Sequence, residues 1–392
     1  MINTDDKKIN ELLTRAVEEV IDRNELKKKL KSGDQLTVKL GIDPTSPNIH
    51  LGRAIPLLKL RDFQQLGHKI VFIIGDFTGI IGDTSDKDSE RPMLDEESIE
   101  QNMRTYIEQA GKILNIKECE IYHNSEWLKD LKYKEILDQA NIFSVNDFIS
   151  RDNIANRLDE GKRVSLREVL YPLMQGYDSV VIKADVELGG TDQRFNLLSG
   201  RDMQKYYNQN PQNIMTNPLI EGLDGRKMSS SWGNTINLND SARDMFGKIM
   251  SIGDELILKY FEYITRVDVE IIHDYKNAME SGENPRDYKL KLAFEIVSMF
   301  YSSDLAEKEK KYFIETFSKK EIPTEIREFE PKDYKLSSFL IETNLCDSNS
   351  DVRRILQQGG IKVNEETVSS TNILLKKGDI VQKGKINFFK VG

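Results

Sequence analysis

A short polar loop between an apolar strand and a helix carries the first residues suited to chemistry. It reads Pro-Asn-Ile-His-Leu-Gly-Arg over residues 47–53. Backbone N–H groups at a helix start attract phosphate, His50 can donate to a phosphate oxygen, and Gly52 lets a planar base approach the backbone. The chain has neither a G-x-x-x-x-G-K-[ST] loop nor a G-x-G-x-x-G fingerprint, which excludes those two nucleotide sites. Taken alone, the segment also fits a loop histidine without function.

A second set of candidate residues lies on one predicted helix. Ser165 and Glu168 have the spacing of a capping box that opens this helix. Tyr171, Gln175 and Asp178 follow at i, i+4 and i+7, so they lie one above another on one face. A phenol, an amide and a carboxylate in this arrangement could hold the amine and hydroxyl of a small polar ligand. The same pattern also fits a solvated helix face.

Three loops add further candidates. In Gly-Gly-Thr-Asp-Gln, residues 189–193, the glycines permit close approach and Asp192 could accept both hydroxyls of a ribose, or could simply be a helix N-cap. The basic loop 225–231, Gly-Arg-Lys-Met-Ser-Ser-Ser, suits transient stabilisation of a leaving polyphosphate. Asp83, in the polar loop 82–91, follows a buried strand where open α/β sheets bind ligands. The last two segments otherwise fit surface loops.

The elements that must position these residues alternate between strand and helix. Residues 36–42 alternate apolar and polar side chains, which predicts a strand with one face buried. Residues 70–74 form a solid apolar strand, as in a parallel sheet covered on both faces, and a helix ending near Gly67 completes a βαβ unit. The continuing alternation predicts a parallel α/β sheet over most of 36–220, with helices near 98–114, 165–176 and from about 192, and strands near 119–123 and 179–184.

The pattern changes in the last third of the chain. Strand signals vanish after about residue 240, and the segments 241–250, 254–264, 286–301 and 304–318 have helical periodicity. Residues 319–334 hold two prolines among charges and are typical of a linker. Short helices near 335–343 and 350–358 and a strand-rich end with turns at Gly378 and Gly384 follow.

Composition bounds the class of protein. The chain has 392 residues, 38% hydrophobic and 31% charged, which predicts a globular protein of two to three domains. Its two cysteines, Cys119 and Cys346, lie in no metal-binding or disulfide pattern, which fits a reducing compartment. Neither a signal peptide nor an apolar run of about 18 residues is present. We therefore expect a soluble, cytoplasmic protein without a membrane partner.

Charge is distributed unevenly. The net charge is −9, yet the last 61 residues hold ten basic and seven acidic side chains. A basic end on an acidic body indicates that a polyanionic partner would be held locally. Three extra charges also fit an ordinary surface fluctuation.

In this order, these segments resemble the bacterial tyrosyl-tRNA synthetases, a family of class I aminoacyl-tRNA synthetases. His50-Leu51-Gly52 resembles the HIGH signature, and residues 227–231 resemble the KMSKS signature. Residues 41–45 and 171–178 resemble the amino-acid pocket segments of the family, and residues 189–193 its ribose loop. Residues 353–364 are similar to the RNA-binding module of ribosomal protein S-four type. The resemblance covers roughly residues 35–392.

Three positions depart from the family pattern. Arg53 stands where the HIGH signature ends in histidine, and Ser230 replaces the second lysine of KMSKS, a variation that the signature tolerates in some members. Lys39-Leu40 stands where some members place a tyrosine that helps bind the substrate hydroxyl.

The resemblance implies an α/β fold in several domains. A Rossmann-like parallel-sheet catalytic domain (36–232) would follow an N-terminal helical segment (1–35). A helical anticodon-region domain (233–320), a linker (321–334) and a small α+β module of S-four type (335–392) would complete a chain that assembles as a homodimer.

The resemblance also implies a reaction, the ATP-dependent attachment of L-tyrosine to its tRNA through a tyrosyl-adenylate. Mg²⁺ would accompany ATP, with no tightly bound cofactor, no metal site of the protein and no DNA partner.

By residue-to-residue match, each site residue takes a role. Catalysis falls to Thr45, His50, Lys87, Arg91 and Lys227. ATP binding falls to Lys227 with Asp43, Gly52, Gly190, Asp192, Met228, Ser229 and Ser230. Tyrosine binding falls to Gly41, Asp83, Tyr171, Gln175, Asp178 and Gln193, with Asp178 on the phenol hydroxyl. Binding of tRNA falls to Arg353, Arg354 and Lys362.

Two other classes remain open. One is an amino-acid-activating paralogue that uses another amino acid or acceptor, suggested by the altered pocket residues. The other is a catalytically idle RNA-binding or regulatory protein, suggested by Arg53 and Ser230.

Overall fold

A computed structural model describes residues 2–83, 94–318, 326–384 and 387–392. The chain divides into two compact units, residues 1–303 and residues 304–392. Among the described helices, none has the length and apolar character needed to cross a membrane.

A six-stranded sheet organises the described part of the first unit. Its order is β1-β6-β5-β2-β3-β4, and only the edge strand β1 is antiparallel to its neighbour. Val38 at the centre pairs with Ile70 on one side and Val186 on the other. The strands are β1 (Glu19–Ile21), β2 (Thr37–Ile42), β3 (Lys69–Ile74), β4 (Cys119–His123), β5 (Val186–Gly190) and β6 (Asn213–Asn217).

Helices connect and follow these strands. Twelve of those described precede residue 240 and are α1 (Asp6–Thr14), α2 (Arg23–Ser32), α3 (Leu51–Gln65), α4 (Asp76–Ile81), α5 (Glu96–Met103), α6 (Tyr106–Gly111), α7 (Ser125–Leu128), α8 (Tyr133–Ala140), α9 (Val145–Ile149), α10 (Asp152–Asp159), α11 (Leu166–Ile182) and α12 (Arg194–Tyr206). The predicted helical region follows as α13 (Ala242–Ser251), α14 (Ile257–Ile264), α15 (Val269–Glu280) and α16 (Pro285–Phe300).

The sequence places one strand wrongly. Residues 179–182 continue α11, which ends at Lys183 in the left-handed conformation, and the strand is β5 at 186–190. The β-branched run Val180-Val181-Ile182 suggests a strand locally, but α11 packs along α12, and Val180 is buried there. Gly176 permits this approach, because a Cβ at that position would lie 3.2 Å from the Ser199 carbonyl oxygen of α12.

Two further expectations change. The single helix predicted near 98–114 is divided into α5 and α6. Strand β2 differs from the predicted pattern at Lys39, which is fully buried although its neighbours on the same face, Thr37 and Gly41, are partly buried and exposed. Its ammonium forms a buried ion pair with Glu187 of the neighbouring strand, so alternation of polarity does not mark an exposed face here.

The second unit combines helices with a five-stranded sheet in the described residues. The helices are α17 (Ser303–Phe313, beginning at the boundary), α18 (Leu336–Glu342) and α19 (Asn349–Gln357). The sheet order is β7-β11-β10-β8-β9, with β7 (Arg327–Phe329), β8 (Ile361–Val363), β9 (Glu366–Thr367), β10 (Ile380–Lys383) and β11 (Asn387–Val391). Both predicted turn glycines, Gly378 and Gly384, have positive φ.

Part of the predicted linker is structured. Residues 319–325 lie outside the described residues, but β7 pairs in parallel with the last strand, Phe329 opposite Val391. Phe329 also packs on an apolar core that includes Phe339 and Val381. Residues 327–329 therefore belong to the small sheet.

Candidate active site

The carboxyl ends of β2 and β5 and the loop after β6 surround a cavity of about 230 Å³. Every described site residue that the sequence assigns to catalysis, ATP or tyrosine lines it, namely Gly41, Asp43, Thr45, His50, Gly52, Asp83, Tyr171, Gln175, Asp178, Gly190, Asp192, Gln193, Lys227, Met228, Ser229 and Ser230. Lys87 and Arg91 lie outside the described residues. Arg353, Arg354 and Lys362 belong to the second unit, where all three are exposed on α19 and β8.

A buried carboxylate marks one end of the cavity. Asp178 on α11 is 3% exposed. It accepts hydrogen bonds from Trp127 Nε1 at 2.7 Å and from Asn124 Nδ2 at 3.3 Å. Burial raises the pKa of the Asp178 carboxyl to about 7, against the opposing effect of Lys39 and these two donors. Because the carboxyl is held by two donors, its orientation is fixed before a ligand arrives.

A buried ionic network holds α11 against β2 and β5 behind this end. Lys39 Nζ lies 2.8 Å from Glu187 Oε1, and both side chains are at most 1% exposed. The ammonium also donates to Ser179 Oγ at 2.8 Å and to the Gln175 carbonyl at 3.0 Å. Glu187 accepts from Gln175 Nε2 at 3.1 Å. The network thus orients the Gln175 amide, which lines the cavity.

A second carboxylate, Asp43, lines the same cavity. Asp43, directly after β2, accepts from Tyr171 Oη at 2.8 Å and from Thr78 Oγ1 at 2.7 Å. Burial raises the pKa of the Asp43 carboxyl to about 6, although both hydrogen bonds lower it. Asp83 in turn accepts a hydrogen bond from Gln193 Nε2. The sequence assigns Asp43 to ATP and Tyr171 to tyrosine, and the structure joins their side chains directly.

The opposite end brings the two signature-like segments together. His50 is the N-cap residue of α3 and is 7% exposed. The Gly52 N–H points to Met228 Sδ at 3.4 Å, and Ser46 Oγ lies 3.4 Å from Ser230 Oγ. The loop before α3 and the loop 225–231 therefore share one wall of the cavity.

An ion pair holds the basic loop 225–231 in place. Lys227 Nζ lies 2.8 Å from Asp192 Oδ2, which ties the loop to the end of β5. Arg226 instead binds Asp224, with Nε at 2.8 Å from Oδ2, and stacks on Trp232 with Cζ 4.7 Å from the ring centre. Arg226 is absent from the described lining of the cavity.

The family model for class I tRNA synthetases of the W and Y group matches residues 30–318. The chain belongs to this family. It is 43% identical over 385 residues to "Tyrosine--tRNA ligase" of Thermotoga maritima, which covers 97% of this chain and 96% of that relative. It is 44% identical over 397 residues to "Tyrosine--tRNA ligase" of Carboxydothermus hydrogenoformans, with 97% of each covered.

Solved structures agree on the fold of this class I synthetase. The tyrosyl-tRNA synthetase of Archaeoglobus fulgidus complexed with L-tyrosine has a TM-score of 0.62 at 23% identity, covering 78% of this chain and 99% of that one. A C-terminally truncated mitochondrial tyrosyl-tRNA synthetase of Aspergillus nidulans has a TM-score of 0.65 at 21% identity, covering 77% and 92%.

Several residues that line the synthetase cavity or hold its lining in place were not predicted from the sequence. Asn124 and Trp127 follow β4, and Thr78 follows β3, so their positions just beyond parallel strands could have indicated them. The Lys39–Glu187 pair gives no comparable signal, since 148 positions separate its members and only the β2–β5 pairing joins them.

Proposed function

We infer that the chain is a tyrosine–tRNA ligase, which activates L-tyrosine with ATP and transfers it to tRNA. The inference rests on three features that converge in the cavity. A fixed carboxylate at Asp178 and the HIGH-like and KMSKS-like segments lie in a single cavity, so an amino acid and a nucleotide can meet there. The names of the full-length relatives supply the amino acid.

The Asp178 end is suited to the side chain of tyrosine. A carboxylate that already accepts from Trp127 and Asn124 retains acceptor capacity for one phenol hydroxyl. Tyr171, Gln175, Asp83 and Gln193 line the same cavity. We assign the α-amine to the first three and the carboxyl side to Gln193, with Gly41 against the ring.

The α3 end is suited to ATP. Asp192 and Gly190 hold the ribose, and Gly52 and Met228 lie where the base would approach. Asp43 bounds this part of the cavity, and Ser229 and Ser230 complete the loop wall. Thr45, His50 and Lys227 bind the phosphates, with Lys87 and Arg91 acting from the segment 84–93. During the reaction, Lys227 must leave its ion pair with Asp192 and bind phosphate oxygens instead.

The reaction requires positioning and charge stabilisation. A tyrosine carboxylate oxygen bonds to the α-phosphorus of ATP while the bond to pyrophosphate breaks. A hydroxyl of the terminal tRNA ribose then attacks the activated carbonyl and releases AMP. Neither step needs a protein nucleophile, so donors aimed at the developing charge can carry the catalysis. Mg²⁺ enters with ATP as part of the substrate.

We assign tRNA binding to the C-terminal end, as a module of S-four type over residues 335–392. Arg353, Arg354 and Lys362 are exposed on a helix and strand built over a continuous apolar core. Cations presented on a stable fold suit phosphate contacts. A location in the cytoplasm, where tRNA is charged, follows from this role.

We also propose a homodimer. Consecutive helices α8 to α11 carry large exposed apolar side chains, namely Tyr133 (79%), Leu137 (56%), Val145 (68%), Leu158 (45%) and Leu166 (73%). Contiguous exposed apolar surface marks interaction sites, and we propose that these side chains form such a surface. Changing Leu137 and Leu166 together to Asp should give a monomer in analytical ultracentrifugation. A matched pair of changes at exposed apolar residues elsewhere, Val269 and Ile271, should leave the dimer intact, and a dimer in both proteins would contradict this surface.

The function is tested by ATP–pyrophosphate exchange with single amino acids. We expect exchange with tyrosine, and far less with phenylalanine or tryptophan. Exchange with another amino acid only would indicate the paralogue, and no exchange with any amino acid would indicate the idle RNA-binding protein. Transfer of radiolabelled tyrosine to tRNA measures the second step separately.

A further inference from the structure

Arg53, which replaces the final histidine of the HIGH signature, reaches across the nucleotide end of the cavity. It lies in the first turn of α3 and lines the cavity beside Thr45 and His50. Its Nη2 donates to Thr45 Oγ1 at 3.0 Å, and its Nη1 donates to Tyr106 Oη at 3.0 Å and to the Asp43 carbonyl at 3.4 Å. All three acceptors are uncharged.

Arg53 is one of few positive charges among the described residues that line the cavity. Among the described lining residues, Arg53 and Lys227 supply the permanent positive charges, against the carboxylates of Asp43, Asp83, Asp178 and Asp192. Lys227 already faces Asp192 at 2.8 Å. The charge of Arg53 helps to lower the pKa of the Asp43 carboxyl, but Arg53 forms no salt bridge with a carboxylate in the described part of the chain, so it can still bind an anion directly.

The loop 225–231 lacks the second lysine of the family signature, because Ser230 stands in its place. The signature of the family carries a second lysine at this position, and here the loop offers a hydroxyl 3.4 Å from Ser46 Oγ. Arg226, the neighbouring cation of the same loop, is held by Asp224 and Trp232. The loop therefore brings one fewer positive charge to the phosphates than the signature prescribes.

We propose that Arg53 is a catalytic residue that binds the β- and γ-phosphate oxygens of ATP and the departing pyrophosphate. This inference rests on the proposed assignment of the cavity. When the carboxylate of the amino acid bonds to the α-phosphorus, the bond to the bridging oxygen breaks and its electron pair leaves with pyrophosphate. A guanidinium has five N–H donors in a planar fork that matches phosphate oxygens, and three of them are engaged in the bonds given above. Arg53 thus supplies from a rigid helix the charge that the loop lacks at Ser230.

The first experiment compares Arg53→Gln with Tyr106→Phe. Gln removes the charge, whereas Phe removes the hydroxyl that Arg53 contacts and that donates to the Ser46 carbonyl at 2.7 Å. We expect Arg53→Gln to lower kcat/KM for ATP by about 100-fold, the lower end of the range of about 10²–10³ found when one donor to developing charge is lost, and to weaken inhibition by pyrophosphate. Inhibition by AMP and the Kd of tyrosine should change less than about twofold. Equal losses in Tyr106→Phe would mean that Arg53 only braces the loop, and would overturn the proposal.

The second experiment is a double-mutant cycle with Ser230→Lys. In the unchanged chain, the added lysine gives the reference change in the rate of ATP–pyrophosphate exchange. In the Arg53→Gln background the same lysine should raise the exchange rate about tenfold more than it does in the unchanged chain. This difference corresponds to about 1.4 kcal/mol. A merely structural Arg53 would not be rescued by a charge on the opposite loop. Absence of rescue would therefore overturn the proposal.

Calorimetry of ATP binding without an amino acid separates this proposal from the proposed function. Weaker ATP binding in Arg53→Gln, with unchanged AMP binding, supports the role of Arg53 even if the chain activates an amino acid other than tyrosine. Unchanged ATP binding together with unchanged exchange kinetics would overturn it, whatever the amino acid.

Discussion

At the scale of single residues, the cavity depends on a few carboxylates and donors fixed before substrate binds. Asp178 is held by Trp127 and Asn124, and Asp43 by Tyr171 and Thr78. Fixed groups lose little freedom when the substrate arrives, which favours both affinity and selectivity. The predictions at this scale therefore concern removal of one group at a time.

Changing His50 to Ala should slow adenylate formation much more than it weakens tyrosine binding. His50 is the N-cap residue of α3, and we propose that it faces charge that grows in the transition state, where loss of one such donor costs on the order of 3 kcal/mol, or ~10²-fold in rate. Single-turnover adenylation and tyrosine titration check this. His273→Ala, an exposed histidine on α15, is the control. A weaker tyrosine Kd with an unchanged adenylation rate would refute the assigned role.

The pH dependence of tyrosine binding should report on Asp178. Burial raises the pKa of this carboxyl to about 7, and the ionised form should accept the proposed hydrogen bond from the phenol more strongly than the protonated form. Tyrosine affinity should thus rise as pH increases through about 7, while phenylalanine affinity should not. Asp178→Asn should abolish this dependence and weaken tyrosine binding by about 1.5–3 kcal/mol, the usual value of a hydrogen bond to a charged group. Calorimetry from pH 6 to 8 (about one unit on each side of the titration) measures both effects, and a pH profile retained in Asp178→Asn would assign the titration to another group.

Among the helices, α11 carries Tyr171, Gln175 and Asp178, which we assign to tyrosine, and it is positioned by its contact with α12. The helix is longer than the sequence predicts, and its middle lies against the backbone of Ser199 and Gly200 near Gly176. The geometry of Gln175 and Asp178 therefore depends on this close packing.

Gly176→Ala should lower the free energy of unfolding by about 1–3 kcal/mol, since overpacking of a dense contact costs that much. Its Cβ would lie 3.2 Å from the Ser199 carbonyl oxygen. Gly247→Ala, in the middle of α13 with nothing within 4 Å of the new Cβ, should instead stabilise by about 0.5–1 kcal/mol, because alanine favours helices. Chemical denaturation of both variants measures the difference. Stabilisation of both would mean that α11 and α12 can move apart without loss.

At the scale of the whole molecule, the chemistry and the basic C-terminal end lie in different units. Every described cavity residue precedes residue 232, and the second unit has an apolar core of its own. A cut at residue 330, inside the predicted linker, would leave β7 without its partner β11. The unit boundary at 303 is the better place to separate them.

A chain of residues 1–303 should catalyse tyrosine-dependent exchange within about threefold of the full chain, yet charge tRNA poorly. Salt screens phosphate contacts, so charging by the full chain should also fall more steeply with salt than exchange does. Assays of both steps at rising salt, with the two chains side by side, check this. Equal loss of both activities in 1–303 would show that the C-terminal end supports the catalytic fold, and unchanged charging would exclude it as a tRNA clamp.

Features that depend on near neighbours in the chain could be predicted from the sequence. The strands at β2, β3 and β4, the glycine-rich turn before α12, the alignment of Tyr171, Gln175 and Asp178 and the loops with signature-like residues follow from local periodicity and turn chemistry. Because the carboxyl ends of parallel strands meet at one edge, these residues could also be expected to converge.

The contacts that those residues make depend on the tertiary structure. The length of α11 depends on packing against α12, which overrides the strand preference of Val180-Val181-Ile182. Burial of Lys39 depends on Glu187, and the raised pKa of Asp178 depends on the surroundings that remove water from it. Arg53 reaches Thr45 and Tyr106 because α3 begins next to the loop that follows β2, and because α6 packs against the same loop. Such contacts join residues far apart in the chain, and no local pattern encodes the distance between them.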